Sequence, residues 1–389
     1  MIRIGVSFLI YSLLLISCTT SPKERIEIIN LTKGLKNSRQ INLSEIASDI
    51  EYISLETVKD SYIGYIEHVK FCNGFIFILD SKSNGIYIFN NKGKYVTQIN
   101  RNGKGPGEYI RIYDLEISPK DTSIFVFDVE VHKLIKYDFK GQFVREWRLQ
   151  EQSSCAFALL DELSFVFLTA YPRNAYNDGY SLTVYDSNLN ILNKFVNKDI
   201  LPKEVAYSMQ TTGNYTLQFY CDTLTYWERK KDIVYKITDT KTVFPKYKIV
   251  YPNPMPLNGE IKNGYNGLFG FIETCNYMFF WGDYNNNPFR TLYSKITKET
   301  TTNSLKYRDE LNYGFINDLD GGYTFYPDEA TSDGKIYCTF SLFELKQFLA
   351  KKSNIKTEVV SELNRAELMN LVENSKPEDN KCIMIVTLK

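Results

Sequence analysis

The sequence has very little histidine, no excess of either charge and no cysteine pair at metal-ligand spacing, and each absence excludes a class of function. Only His68 and His132 occur among 389 residues, so a histidine-rich zinc site is excluded. The 46 basic and 46 acidic side chains cancel, which leaves no electrostatic footprint for nucleic acid. No G-x-S-x-G nucleophile motif occurs. We therefore predict no nucleic-acid partner, no cofactor and no metal centre.

The cysteines are few and widely spaced. Apart from Cys18 they are Cys72, Cys155, Cys221, Cys275, Cys338 and Cys382. An exported protein can form disulfides, and the sequence leaves their pairing open. Several of these residues lie in apolar, strand-like runs such as "KIYCTF" and "KCIMIV". We interpret them as buried free cysteines that act as small hydrophobic side chains.

Long apolar runs are also missing, except for one at the N-terminus. Arg3 precedes "GVSFLIYSLLLI", which is too short for a stable membrane span and is typical of an export signal. The run ends in "LISC" (15–18), which resembles a bacterial lipobox. We predict a signal peptide over 1–18, lipid attachment at Cys18, a polar tether over 19–40, and an outer-membrane location in the cell envelope. The alternative is an ordinary signal peptide with an incidental cysteine, and the side of the membrane stays open.

What the sequence does contain is an internal repeat of 48 residues. The segment "FIFILDSKSNGIYIFNNKGKYV" (75–96) aligns without a gap with "SIFVFDVEVHKLIKYDFKGQFV" (123–144). The aligned pairs are Asp80 and Asp128, Asn90 and Asp138, Gly93 and Gly141, and Val96 and Val144. Another step of the same length leads from Asp138 to Asp186. Each unit reads as a β-meander with turn residues at the strand ends, and repeats of about 40–50 residues with several strands indicate propeller blades.

Later units keep this pattern with different lengths. The fourth is "YTLQFYCDTLTYWERKKDIVYKIT", the fifth "YMFFWGDYNNNPFRTLYSKIT", and "GYTFYPDEATSDGKIYCTFS" begins the sixth. Near the C-terminus, 342–352 and 361–375 have apolar residues at helical spacing. For the second helix we predict a start at Ser361, a stop before Pro377 and an apolar face. That face consists of Leu363, Leu368, Leu371 and Val372.

Three further segments resemble a known family, the six-bladed β-propeller lipoproteins of Bacteroidetes, which are distant relatives of NHL-repeat propellers. They are "INLSEIASDIEYISLET" (41–57), "GKGPGEY" (103–109) and the ending "EDNKCIMIVTLK". The resemblance implies an all-β fold, a six-bladed β-propeller over 41–389 with a short helical insertion near the C-terminus. We also expect the strand near "IEYISLE" to complete the last blade together with "CIMIVTLK", because an open ring would expose strand edges.

The segment "GKGPGEY" could be a phosphate-binding loop or a corner between two blades. Phosphate-binding loops need G-x-x-x-x-G-K-[ST], or G-x-G-x-x-G before a helix, whereas "YIRIYDLEI" continues as a strand. We therefore predict a structural corner in which the glycines allow a positive φ, with Gly105 as the position to test, and Glu108 accepts backbone N–H bonds. The signature residues are Gly103, Gly105, Pro106, Gly107, Glu108 and Tyr109.

Function is less determined than fold, and three classes remain open. The first is a non-catalytic binding or scaffold lipoprotein for an unknown ligand, such as a glycan or peptide, or for a partner protein. Its candidate residues lie in two predicted loops, 170–180 and 281–290, where aromatic and polar groups suit sugars and peptides. They are Arg173, Tyr176, Tyr180, Trp281, Tyr284 and Arg290. Each could instead simply pack beneath a loop.

The second class is a propeller enzyme of lactonase or lyase type with a central divalent ion. The carboxylates to test are Asp80, Asp128 and Asp186. Because the first two are repeat-equivalent turn residues, we interpret them as local hydrogen-bond acceptors. The third class is a sensor or an assembly subunit, which the sequence neither supports nor excludes.

Overall fold

The chain folds into six β-sheets arranged as the blades of a propeller. The computed structural model describes residues 26–149, 154–161, 163–169, 180–196, 215–220, 223–228, 231–252, 267–285, 287–303, 314–351 and 359–389. Four sheets have four strands and two have five. Each blade is built in chain order from its innermost strand outward. Blades 4, 5 and 6 are exceptions, because each has a strand from the N-terminal part of the chain as its outermost strand. The predicted six-bladed β-propeller is confirmed.

The strands of each blade have the following bounds. Blade 1 contains β4 (Ile66–Cys72), β5 (Phe75–Asp80), β6 (Gly85–Asn90) and β7 (Tyr95–Ile99). Blade 2 contains β8 (Ile112–Ser118), β9 (Ser123–Asp128), β10 (Lys133–Asp138) and β11 (Phe143–Arg148). Blade 3 contains β12 (Ser154–Asp161), β13 (Ser164–Thr169), β14 (Tyr180–Asp186) and β15 (Ile191–Val196).

The second half of the ring is built in the same way. Blade 4 contains β16 (Tyr215–Tyr220), β17 (Thr223–Glu228), β18 (Ile233–Ile237), β19 (Val243–Val250) and β1 (Glu27–Asn30). Blade 5 contains β20 (Gly267–Glu273), β21 (Tyr277–Tyr284), β22 (Asn287–Ser294), β23 (Thr300–Asn303) and β2 (Ser38–Arg39). Blade 6 contains β24 (Glu329–Ala330), β25 (Ile336–Phe340), β26 (Cys382–Leu388) and β3 (Ala47–Ser54).

Strands from both ends of the chain close the ring in blade 6. The C-terminal strand β26 pairs antiparallel with β3, from Cys382 opposite Ser54 to Leu388 opposite Ala47. The pairing buries both backbones at the point where the ring would otherwise be open. The predicted interlock of the two termini is therefore confirmed.

Buried apolar side chains fill the space between neighbouring blades. Six clusters are present among the described residues, one at each interface. Between blades 1 and 2, for example, Phe77 and Leu79 pack against Leu115 and Val126. The alternation of side chains along each strand sends one set to the preceding blade and one to the next. This explains why the second strands read as continuous apolar runs.

The repeated Asp and Asn residues organise the turns, as predicted. Asp80 accepts backbone N–H bonds from Gly64, Tyr65 and Lys82 at 2.8–2.9 Å, and Asp128 does the same for its own blade. Both are fully buried. In blade 3, Asp186 at the end of β14 accepts hydrogen bonds from the backbone N–H groups of Asn188 and Asn190. These carboxylates therefore act as local hydrogen-bond acceptors.

The N-terminal segment does not behave as a free tether over its whole predicted length. Strand β1 pairs in parallel with β19, and β2 pairs in parallel with β23. Between them lies helix α1 (Leu31–Lys36), and Ile29 and Leu31 are fully buried. A 3-10 helix (Leu43–Glu45) then leads into β3. Residues 26–40 thus form a strap over the outer edges of blades 4 and 5, because their apolar side chains complete the cluster between those blades.

Two helices form the C-terminal insertion between β25 and β26. They are α2 (Leu342–Lys351) and α3 (Glu362–Asn374). Ser361 caps α3 as predicted, because its hydroxyl accepts a bond from the Asn364 N–H at 3.2 Å. Leu368 and Val372 are buried against blade 6, but Leu363 is 71% exposed, so its place on the buried face was predicted wrongly. At 3.6 residues per turn Leu363 lies about 140° from Leu368 and about 180° from Val372 around α3, so it points away from the blade, although its neighbour Asn364 already contacts Asp49 of β3.

Alternating strand directions give the propeller two different faces. One face carries the turns between first and second strands and between third and fourth strands, which have two to five residues. We call it the short-turn face. The other face carries links between blades, such as 100–111, and the two helices of the insertion. We call it the long-connection face.

Candidate functional site

The six innermost strands surround the propeller axis, and one position on each can be compared between blades. This position lies opposite Phe77, Phe125, Val166, Thr225, Phe279 and Tyr337 of the six second strands. In chain order its occupants are Lys70, Glu116, Ala158, Gln218, Ile272 and Glu329. Charged side chains therefore occupy blades 6, 1 and 2, while blades 3, 4 and 5 carry uncharged ones.

Three of these charges form a continuous chain. Lys70 Nζ lies 3.3 Å from Glu116 Oε1 and 3.2 Å from Glu329 Oε1, so it joins blade 1 to both of its neighbours. Two residues earlier on the same strands, His68 Nε2 lies 3.9 Å from Asp114 Oδ1. Residues two apart on a strand share one face. We call these five residues, His68, Lys70, Asp114, Glu116 and Glu329, the polar arc.

Neighbouring groups hold the carboxylates of the polar arc in place. The Tyr337 hydroxyl lies 2.9 Å from Glu329 Oε2 and 3.0 Å from the Val69 carbonyl oxygen. The backbone N–H of Phe157 donates to Asp114 at 3.0 Å, which links blade 2 to blade 3. These bonds fix the direction of each carboxylate and leave other lone pairs for a ligand.

The electrostatics of the polar arc are uneven. Burial, together with the nearby Asp114 and Glu329 carboxylates, raises the pKa of Glu116 to about 7 despite the Lys70 ammonium. Burial also opposes ionisation of Glu329, but Lys70 and His68 outweigh it and its pKa lies below the ordinary value. For Lys70, burial is outweighed by its carboxylate neighbours, and its pKa is raised. Lys70 therefore stays charged, and Glu116 can change its protonation near neutral pH.

The polar arc is accessible to solvent. The exposed fractions of its side chains run from 13% for Asp114 to 34% for His68. Three carboxylates face one ammonium and one imidazole, so acceptors outnumber cations. Within the described ranges no group of three or more His, Cys, Asp and Glu side chains is arranged to hold a metal ion. The arrangement suits ligands that donate hydrogen bonds, such as sugar hydroxyls or amines.

A second charged group lies between blades 4 and 5. Glu273 is 1% exposed and lies 2.8 Å from Lys246 Nζ and 2.7 Å from Lys295 Nζ. It also accepts bonds from the Tyr247 and Thr225 hydroxyls. Burial opposes its ionisation, but the two ammonium groups outweigh it and the pKa of Glu273 is lowered. We call these five residues the Glu273 cluster.

The candidate binding residues from the sequence have different surroundings from those expected. Trp281 and Arg290 are opposite each other in β21 and β22, rather than in a loop. Arg290 stacks on Tyr326 at 4.8 Å between blades 5 and 6, and Tyr284 packs against the cluster between blades 4 and 5. The loop prediction for 281–290 was wrong because 281–284 belongs to β21 and 287–290 to β22, and the two strands pair as a hairpin. Arg173 and Tyr176 lie outside the described residues, and Tyr180 is described only as the first residue of β14.

The "GKGPGEY" segment links β7 to β8 and is held by bonds from its own blade and the next. Glu108 accepts the Gly105 N–H at 2.8 Å, as predicted. Of the three glycines in this segment, Gly107 has the positive φ, at 67°, and Gly105, the position proposed for testing, does not. A side chain at Gly107 would lie 2.6 Å from the Phe143 ring. The backbone N–H of Gly107 donates a hydrogen bond to the Glu146 carboxylate, and the Gly107 carbonyl oxygen accepts one from the Tyr137 hydroxyl.

The cysteine prediction is confirmed in part. Cys338 and Cys382 are buried and free, whereas Cys275 is free and exposed. Cys72 is free and half-buried. Cys155 has only its backbone described and Cys221 lies outside the described residues.

Sequence reasoning missed the polar arc, although a signal was present. "IEHVKFC" and "IYDLEIS" each place two charged or ionisable side chains two residues apart in a short strand that precedes the recognised repeat. Such spacing puts both on one face of the strand. Aligning the innermost strands would have brought Lys70 and Glu116 into the same column.

The propeller is similar to solved structures, and its sequence matches a known family. The described helices include none that is both long and apolar enough to cross a bilayer. No curated protein matches the sequence. A crystal structure of a Bacteroides fragilis NCTC 9343 protein, provisionally named an exported protein, is 20% identical with a TM-score of 0.72 and covers 93% of this chain and 99% of that one. This likeness shows the fold.

Two other crystal structures are more distant. A Bacteroides vulgatus member of the DUF4221 family is 11% identical, with a TM-score of 0.49 and coverage of 90% and 99%. Virginiamycin B lyase from Staphylococcus aureus is 12% identical, with a TM-score of 0.43 and coverage of 74% and 80%. Both are too distant to bear on activity. The sequence profile of one family, described as "Domain of unknown function (DUF4934)", matches residues 26–387, and the chain therefore belongs to this family.

Proposed function

We propose that this protein is a lipid-anchored propeller of the cell envelope that binds a ligand at the polar arc without transforming it. The observation that carries the proposal is the unequal charge around the axis. Ionisable side chains from three consecutive blades meet there and remain partly exposed. Removing charged side chains from water costs free energy. The equivalent positions in blades 3 and 5 are occupied by Ala158 and Ile272, so a propeller blade does not need a charged side chain at this position in order to fold.

The ligand chemistry follows from the donors and acceptors of the arc. Carboxylates accept hydrogen bonds, and Lys70 and His68 can donate to a ring oxygen or carbonyl. This set fits a glycan or a peptide with a free amine. The lipid anchor is supported by the "LISC" sequence at Cys18, and the exported status of the Bacteroides fragilis relative agrees with an envelope location.

The binding proposal can be tested with glycan and peptide arrays followed by calorimetry on any hit. Lys70→Met should weaken binding at least tenfold, because it removes the charge that joins the two flanking carboxylates. Lys136→Met is the matched control, since Lys136 forms an ion pair with Asp121 away from the axis. Equal affinities for wild type and folded Lys70→Met would refute the assigned site. Chemical conversion of a bound ligand would refute the absence of catalysis.

The anchor has its own test. Cys18→Ala should move the protein from the membrane to the soluble fraction, and labelled fatty acid should be incorporated only into the wild type. A variant that stays with the membrane, with no label in the wild type, would contradict lipidation.

A further inference from the structure

The strap fixes where any lipid anchor at Cys18 leaves the propeller. Its first strand, β1, pairs in parallel with β19, with Glu27 opposite Tyr247 and Asn30 opposite Val250. Strand β19 is the fourth strand of its blade and runs from the short-turn face to the long-connection face. The strap therefore enters blade 4 from the short-turn face.

The side-chain contacts of Glu27 locate the start of the strap without reference to the pairing of β1 with β19. Its carboxylate lies 2.8 Å from Lys298 Nζ, and it also accepts a bond from the Tyr293 hydroxyl. Lys298 is in the turn between β22 and β23, one of the turns of the short-turn face. Both observations locate the entry at the outer rim of blades 4 and 5, on the short-turn side.

The chain between Cys18 and Glu27 is short. Eight residues, 19–26, separate them, and an extended chain advances ~3.5 Å per residue, so the tether reaches at most about 30 Å. Glu27 is opposite Tyr247, the fifth of the 8 residues of β19, so about 13 Å of that strand lies between Glu27 and the short-turn end and about 10 Å between Glu27 and the long-connection end. Both ends are within reach of the tether, but a bilayer against the long-connection face would require the chain to reverse its direction immediately before β1. A bilayer against the short-turn face leaves the tether most of its conformational freedom, whose loss would cost free energy.

Apolar side chains surround the entry point. Ile28 is 63% exposed and Ile296, in the same turn as Lys298, is 68% exposed. Ile26 and Phe244, which flank the start of the strap, are each 40% exposed. Exposed apolar groups next to a lipid anchor can insert into the interfacial region of a membrane.

We infer that the propeller lies with its short-turn face, at the rim of blades 4 and 5, against the bilayer that holds Cys18, and that the long-connection face points away from it. This inference rests on the lipid anchor of the proposed function. On the innermost strands, His68 lies nearer the long-connection face than Lys70. A ligand arriving from outside the membrane layer therefore meets the His68 and Asp114 end of the polar arc first.

The orientation can be measured by energy transfer to the lipid surface. The full lipidated chain would be reconstituted into vesicles of phosphatidylethanolamine and phosphatidylglycerol that carry an acceptor dye on a small fraction of headgroups. Cys275, which is free, exposed and at the short-turn face of blade 5, accepts the donor dye directly. In a Cys275→Ser chain, Tyr65→Cys places the donor on the long-connection side of blade 1, where Tyr65 is 59% exposed. Both chains carry Ser in place of Cys72, Cys155 and Cys221.

We expect transfer from Cys275 to exceed transfer from Tyr65→Cys at least twofold. Inserting a flexible segment of about twenty Gly and Ser residues after Ser21 should reduce this difference, because the longer tether releases the constraint. Vesicle-bound protein with equal transfer at both sites, or stronger transfer from Tyr65→Cys, would overturn the orientation while leaving the anchor intact. Protein that does not sediment with the vesicles would refute the anchor of the proposed function, and the orientation with it.

Discussion

The polar arc and the Glu273 cluster are opposites in composition and in exposure. In the polar arc one ammonium, Lys70, lies between two carboxylates, and its side chain is 24% exposed. In the Glu273 cluster one carboxylate lies between two ammonium groups and is 1% exposed. Four hydrogen-bond donors reach the Glu273 carboxylate, from Lys246, Lys295, Tyr247 and Thr225. The backbone N–H of Glu273 donates to the side-chain oxygen of Gln218.

This difference separates a structural ion cluster from a candidate binding site. A charge that is fully buried and fully hydrogen-bonded is stabilising only as a complete set, and it has no capacity left for a ligand. A charge that stays in contact with water keeps that capacity and contributes less to folding. Substitutions in the two groups should therefore have different consequences, and four experiments can break or sharpen the contrast.

The largest effect is expected for Glu273→Gln. It leaves Lys246 and Lys295, whose side chains are 20% and 17% exposed, as neighbouring cations without a counter-charge, which should lower the free energy of unfolding by about 3–5 kcal/mol. Urea unfolding with an unchanged m value would measure it. Glu116→Gln is the matched control and should cost less than about 1 kcal/mol at neutral pH, because Glu116 is already partly protonated there. Equal losses for the two variants would break the contrast.

The next effect concerns the pH dependence of stability. Burial raises the pKa of Glu116 from 4.5 to about 7 in the folded protein. Between these two values the native state keeps a proton that the unfolded chain releases, so this group makes stability fall as pH rises through that window. The contribution is at most about 3 kcal/mol. Glu116→Gln should remove this pH dependence, so the stability of the variant minus that of wild type should increase as pH rises from about 4.5 to about 7.

Glu329→Gln provides a control with the opposite sign. The pKa of Glu329 is lowered in the folded protein, so its contribution to stability is present above the ordinary value and is lost as pH falls. This variant should therefore lose stability relative to wild type as pH rises. If both variants moved in the same direction, the uneven electrostatics assigned to the polar arc would be contradicted.

A smaller effect is expected at the blade corner. Lys133 is 5% exposed on its side chain and lies 3.0 Å from Glu146, whose other contact is the Gly107 N–H. Glu146→Gln keeps an acceptor for that N–H but leaves the Lys133 ammonium with only the Gly105 carbonyl oxygen at 3.4 Å. We expect a loss of about 1–2 kcal/mol in chemical denaturation. A loss as large as that of Glu273→Gln would show that burial of the cation alone decides the cost.

The smallest effect is expected for Asp121→Asn. This residue pairs with Lys136 at 2.5 Å, but 47% of its side chain is exposed. Exposed ion pairs contribute little, so stability should change by less than about 0.5 kcal/mol. Thermal unfolding in low and high salt would check this, and a salt-independent loss above that range would require a role for Asp121 beyond its ion pair.

Most of the fold follows from local sequence patterns. The turn residues at Asp80 and Asp128 recur at a fixed interval because each blade needs the same backbone bonds at the same strand end. Helix α3 begins where Ser361 can cap it. The first 40 residues were less predictable, since polar composition indicates a tether, whereas the burial of Ile29 depends on a groove that only blades 4 and 5 together create.

The candidate site was much harder to predict. Trp281 and Arg290 have the residue types of a binding loop, but hairpin pairing places them inside a blade interface. The aromatic composition of a segment does not tell whether it faces a ligand or another sheet. Conversely, Lys70 and Glu329 are 259 positions apart in the chain, and neither belongs to a recognisable motif.

The sequence by itself determined the repeat and the strand and turn order within each blade, because these depend on side-chain alternation and turn conformation over a few residues. The two strands that close the ring followed from the family resemblance and from the cost of an open strand edge. Only the tertiary structure decided which charges meet at the axis, which are sealed between blades, and on which face the strap enters. Closing a ring of six sheets brings the first and last blades into contact, and the distances across that contact depend on every strand between them.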